Sequence, residues 1–142
     1  MKIFIILLFF VPNFAFSASM NHIGEKGLPS EVDRVIEIQM YDNYFAPNEI
    51  NIKKGETIKF LIQNFGSLVH EFNIATKQMH LNHQPEMMKM VENEILLGDK
   101  IDYEKMKEIA KTDHSMAHSH SNSVLLEPNQ SGEIIWKFNT EI

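Results

Sequence analysis

Residues 57–75 read TIKFLIQNFGSLVHEFNIA, and the fold is decided there. Ile58, Phe60 and Ile62 alternate with Lys59 and Gln63, a period of two that gives a strand one apolar face. Asn64–Ser67 turns the chain. Strand character returns over Val69–Ala75, with His70, Phe72 and Ile74 on one face and Glu71 on the other.

The same pattern extends outward. Upstream, Ile36, Ile38 and Met40 alternate with Glu37 and Gln39, Tyr44–Pro47 interrupts, and Ile50 and Ile52 alternate with Asn51 and Lys53 before a turn at Lys54-Gly55-Glu56. Downstream, Val124–Leu126 is strand-like, Pro128–Gly132 turns, and Ile134, Trp136 and Phe138 share a face. Between these lies Lys77–Thr112, rich in Met, Glu, Lys and Leu. There Gln84–Asn93 and Asp102–Lys111 read as short helices, the second capped by Asp102. Residues 113–123, mostly small and polar, read as a loop. The expectation is an all-β chain: a small antiparallel β-sandwich over residues 34–142, with a partly helical Met/His-rich insertion at about 77–121.

The start of the chain bears on compartment. Met1-Lys2 precedes the apolar run Ile3–Val11, and Ala15-Phe16-Ser17 fits a small-x-small cleavage site, so residues 1–17 read as an export signal. The run is much shorter than the ~20 apolar residues of a membrane span. A periplasmic or secreted protein is expected, with no membrane segment after cleavage and a flexible polar leader over 18–33. Lys2 is the only charge in the signal, so cleavage leaves 12 basic against 19 acidic side chains, about −7. Such a chain, without a basic patch, does not hold nucleic acid by neutralising phosphates. The absence of cysteine removes disulfides, thiol nucleophiles and thiolate metal sites.

What the chain has instead is seven His and nine Met, mostly around Met79–Met90 and His114–His120. Imidazole and thioether suit copper, and thioether favours Cu(I). His80 and His83 are three apart, as are Met87 and Met90, while His83 and Met87 are four apart, so each pair shares a face if helical. His114, Met116, His118 and His120 form a second group, which has no apolar period to explain it and reads as metal capture. The methionines also have a plainer reading as fillers of an apolar core. His70 is either a core residue with a hydrogen-bonded ring or a ligand on a rigid strand, and Glu71 is expected on a solvated face. Glu104–Lys111 reads as a solvated helix face. No phosphate loop, nucleophile elbow or zincin spacing is present, so an enzyme is not expected.

MYDNYFAP at 40–47, KKGET at 53–57, NFGSLVHEF at 64–72, NSVLLEP at 122–128 and GEIIWKF at 132–138 together resemble exported cupredoxins of the plastocyanin/azurin class. They are most similar to a bacterial periplasmic group with a Met/His-containing insertion. The resemblance covers most of residues 35–138. It implies a Greek-key β-sandwich, copper as cofactor, His70 as the first copper ligand, and copper handling, tolerance or electron transfer alongside other periplasmic copper or redox proteins. Such proteins carry Cys, a second His and usually Met in a final loop before a closing strand. Against that pattern the loop and final strand are missing here, which implies a truncated product or a thiolate-free divergence. The expectation is thus an exported copper-binding protein drawing on His70, His80, His83, Met87, Met90, His114, Met116, His118 and His120. A non-functional or interaction module with incidental His and Met, or a zinc-binding protein, are the alternatives.

Overall fold

The computed structural model describes residues 23–139; the expected signal over 1–17 and the first residues of the leader lie outside them. The described strands in chain order are β1 (Glu25–Lys26), β2 (Arg34–Met40), β3 (Phe45–Ala46), β4 (Thr57–Asn64), β5 (His70–Asn73), β6 (Leu96–Leu97), β7 (Lys100–Ile101), β8 (Ser123–Leu126) and β9 (Ser131–Lys137). Helices α1 (Lys77–Glu92) and α2 (Tyr103–Ile109) fall between β5 and β8, with a 3-10 turn at His114–Ala117. No helix among the described residues is long and apolar enough to cross a membrane.

One sheet runs β1-β9-β4-β2-β3, and β5 and β8 form a separate antiparallel ribbon. The alternation around residue 60 buries Ile58, Phe60 and Ile62 beside Ile38, Met40, Ile134, Trp136 and Phe138. The Phe60 ring meets that of Phe72 of the ribbon at a tilt, with centroids 5.4 Å apart, closing sheet against ribbon. Truncating such a ring to Ala costs about 3–5 kcal/mol. The sandwich is mixed rather than purely antiparallel: β2 and β4 pair in parallel, from Arg34 opposite Ile58 to Met40 opposite Asn64. Residues 41–56 supply the long crossover that a parallel pair requires. Within it Ile50 and Ile52 pack on the core without forming the expected strand. The Asn51 carbonyl is instead taken by the Arg34 guanidinium at 2.6 Å.

Residues 23–33 differ from the flexible leader that their polar composition suggests. Ile23 is buried in the core, Glu25 pairs with Lys137, and Gly27 N–H donates to the Ile135 carbonyl at 2.9 Å. A single apolar anchor and an open sheet edge suffice to order the segment.

The ribbon serves two cores. Phe72, Val124 and Leu126 face the large sheet, whereas Val69 and Leu125 pack against Met90, Ile95, Ile101 and Met116 of the insertion. Buried Asn64 anchors the ribbon's end: its Nδ2 donates to the carbonyls of Leu68 and Leu126 at 2.8 and 2.9 Å, and its Oδ1 accepts from Gly66 N–H at 2.8 Å. The outer face of β5, carrying Glu71, is therefore covered by the insertion.

Candidate metal centre

Helix α1 begins at Lys77, capped by Thr76, whose Oγ1 accepts from Met79 N–H at 3.1 Å; this is seven residues before Gln84, where the sequence suggests a start. Pro85 stands inside it. The proline leaves one carbonyl, that of Leu81, without its helical donor, and both residues are exposed, so water can take it. The longer helix brings His83 and Glu86, three apart, onto the face toward β5. From the other side, the 3-10 turn ends at His118 in the left-handed conformation, φ 45° and ψ 46°, which histidine adopts more readily than bulkier residues. The loop is then fixed by Asn122, whose Nδ2 donates to Asn73 Oδ1 and the Ile74 carbonyl, both at 3.0 Å. His118 and His120 are thereby delivered opposite α1.

His83, Glu86, His118 and His120 each offer one ligand atom, all within 4.8 Å of one another. The three imidazole centroids lie 5.0–5.1 Å apart. Glu86 Oε1 is bound by His118 Nδ1 at 3.0 Å and His120 Nε2 at 2.8 Å. Glu71 joins from the strand: its Oε1 lies 3.2 Å from His83 Nε2 and 3.2 Å from His118 Nε2. These three atoms are buried and have no hydrogen-bond partner. Bonds of about 2.0–2.2 Å to one ion would place neighbouring donors about 2.9–3.5 Å apart at angles of 90–109°. The observed 3.2 Å spacings fit a cation between them. His118 is 4% exposed and His120 36%, so the centre opens to solvent on the His120 side, through a cavity of about 380 Å³ that Met79 also lines.

The electrostatics agree. Burial raises the Glu71 pKa, but His118, then the Ser123 hydroxyl and the His83 imidazole, together outweigh it and hold the carboxyl below its ordinary value. Glu86 likewise is raised by burial and lowered further by His120 and His118. For His118, burial disfavours the cation, yet Glu71 and Glu86 raise its pKa overall. Two carboxylates that stay ionised face imidazoles inside a covered site. The arrangement attracts positive charge, and imidazole with carboxylate suits copper, zinc or iron.

Other residues expected as ligands lie elsewhere. Met90 and Met116 are fully buried in the apolar cluster of the insertion and Met87 packs against it, so these three fill core. Their unbranched, flexible side chains suit the irregular gaps between α1, α2 and the ribbon. His80 and His114 are exposed and outside the group of converging donors. His70 is half-buried on the opposite face of β5, with Nε2 3.0 Å from Asp42 Oδ1 and its ring edge-on to Phe45. No third His, Asp or Glu gathers with that pair among the described residues. Glu71, expected in solvent, is instead a half-buried member of the site, and Glu86 joins it although composition does not mark it as a ligand. The His83-x-x-Glu86 spacing was the available signal.

The β-sandwich is consistent with a cupredoxin-like domain, and residues 3–100 match the Cupredoxin-like domain family; the chain belongs to it. That match includes Glu71, His83 and Glu86 and ends before His118 and His120. Among characterised proteins, the chain is similar to the copper-resistant cuproprotein CopI of Pseudomonas aeruginosa, with 36% identity over 129 residues, 81% of this chain and 67% of that protein. It is also similar to CopI of Rubrivivax gelatinosus, at 27% identity over 81% of this chain and 56% of that protein. CopI of Vibrio cholerae shows 19% identity, over 84% and 58%. The chain thus spans about two thirds of the first relative and under three fifths of the other two. No solved structure matches.

Proposed function

We propose that this protein is an exported copper-binding protein of copper tolerance, holding the ion between α1, the ribbon and the His118–His120 loop. The observation that carries this reading is the convergence of His83, His118, His120, Glu71 and Glu86, within a fold whose relatives are named for copper resistance. Export is supported by the charged start and apolar run of residues 1–11. The role is carriage or sequestration rather than catalysis. These 142 residues contain no cysteine, so the bound copper has imidazole and carboxylate for ligands and its complex is pale, without an intense thiolate band. His70, the ligand implied by the family resemblance, is a separate position paired with Asp42. Divalent copper ranks above zinc for such donors, which favours copper over the zinc alternative.

The test is metal stoichiometry and competition on the purified chain. Wild type binds one copper that excess zinc does not displace. His118→Ala abolishes this binding, while His80→Ala and His114→Ala leave it intact. Loss of copper from the His80 or His114 variants and not from His118→Ala would overturn the assignment, and preferential retention of zinc would turn it to a zinc protein.

A further inference from the structure

We propose that this centre takes copper as Cu(II) rather than Cu(I), and that Glu71 is the residue that sets the preference. The inference rests on the copper reading above and deepens it. Its first support is the position of Glu71 Oε1, buried, without a hydrogen-bond partner and 3.2 Å from both His83 Nε2 and His118 Nε2. In its neutral form His118 gives Nδ1–H to Glu86, which turns the Nε2 lone pair toward Glu71; without metal a proton takes that place, and a metal ion displaces it. Two lone-pair atoms facing each other in a covered site repel unless a cation lies between them.

Charge decides which cation. Glu71 and Glu86 together bring two negative charges to neutral imidazoles. A divalent ion leaves the centre neutral; a monovalent ion leaves one negative charge uncompensated on largely buried carboxylates. Ligand softness points the same way. Cu(I) prefers thioether, but Met87, Met90 and Met116 are turned into the apolar cluster, and Met79 only lines the neighbouring cavity. What remains is nitrogen and carboxylate oxygen, the donor set of Cu(II). Glu71 presents to both His83 Nε2 and His118 Nε2 an Oε1 that no well-formed hydrogen bond holds, whereas Glu86 accepts from His118 and His120 and acts by orienting them.

The experiment compares two affinities in the full chain. Cu(II) is titrated against a Cu(II) chelator, and Cu(I) anaerobically against a chromophoric Cu(I) chelator, for wild type, Glu71→Gln and Glu71→Asp. Removing the charge in Glu71→Gln lowers Cu(II) affinity by at least about tenfold and Cu(I) affinity by less than about threefold, on the scale of changes to metal-supporting carboxylates. Glu71→Asp retains the preference for Cu(II). Equal losses for both ions, or unchanged Cu(II) affinity, overturn the role of Glu71. A wild-type chain that binds Cu(I) more tightly than Cu(II) overturns the preference alone, whereas one that binds neither overturns the copper reading itself. If Glu71→Gln does not fold, electron paramagnetic resonance of the Cu(II) forms of wild type and Glu71→Asp decides. A changed spectrum supports ligation by this carboxylate and identical spectra refute it.

Discussion

His118 Nε2 lies 3.2 Å from Glu71 Oε1, both atoms are buried, and no hydrogen bond satisfies either. An unsatisfied buried polar group costs about 1–3 kcal/mol, and a cation between these two atoms removes that cost, whether the proton that the carboxylates favour on His118 or a metal ion that replaces it. Copper held at this pair should stabilise the folded state. At a free Cu(II) concentration one hundred times Kd, mass action alone adds about 2.7 kcal/mol, or roughly 5–10 °C in Tm for a domain of this size. Differential scanning fluorimetry with and without Cu(II) reads this directly. His118→Ala should show no copper-dependent shift, and an equal shift in that variant would place the copper elsewhere.

Glu86 holds two imidazoles with one oxygen, His118 Nδ1 at 3.0 Å and His120 Nε2 at 2.8 Å. Replacing it by Gln keeps the shape but offers a weaker, neutral acceptor and a donor that the ring nitrogens cannot both use. Loss of such a supporting carboxylate costs about 10–100-fold in metal affinity. Glu86→Gln should fall in that range by chelator competition, with far-UV circular dichroism unchanged. Undiminished affinity would show that the histidines are oriented by the loop alone.

The methionines separate core from ligand. Met90 and Met116 are buried among Ile95, Ile101, Leu125 and their neighbours, and Leu can replace Met there with little change in volume. Met90→Leu and Met116→Leu should cost under about 1.5 kcal/mol and leave copper affinity unchanged. Met90→Ala should cost about 2–5 kcal/mol by denaturant melt, because a cavity remains. A drop in copper affinity in either Leu variant, with stability retained, would return the thioethers to the ligand set.

Which parts of this were legible in the sequence follows from what hydrophobic periodicity can see. β4 and β9 show it plainly because one face of each is core: Phe60 and Trp136 recur at even spacing with their neighbours. The first half of α1 does not, since the residue it turns toward the ribbon is His83, and a polar inner face has no apolar period. The place of Glu71 is hidden for a related reason. Strand parity tells that it opposes Phe72, but not that an insertion later in the chain covers that second face. The His118 and His120 pair was visible as composition. Met87, Met90 and Met116 were ambiguous in principle, because one side chain serves both as soft ligand and as filler of irregular core.

Away from the metal centre, the Glu56 carboxylate ties the crossover to β2. Its Oε1 and Oε2 accept from Arg34 Nε at 2.5 Å and Nη2 at 3.0 Å, and Oε2 accepts from Lys53 N–H at 3.0 Å. The guanidinium is the main cause that holds Glu56 below its ordinary value of 4.5. A carboxyl whose folded pKa is depressed contributes stability that is fully present above the unfolded pKa and is lost as pH falls through the folded one. Glu56→Gln keeps the volume, and leaves Arg34 its bond to the Asn51 carbonyl, but removes the charge. At neutral pH the variant should be less stable by about 0.5–1 kcal/mol, a value discounted because Arg34 is substantially exposed to screening solvent. Below the folded pKa the wild-type carboxyl is itself protonated and the two proteins should converge. Urea melts at neutral and acidic pH measure the gap. A difference that stays constant across the titration would assign the cost of the substitution to packing rather than to the ion pair.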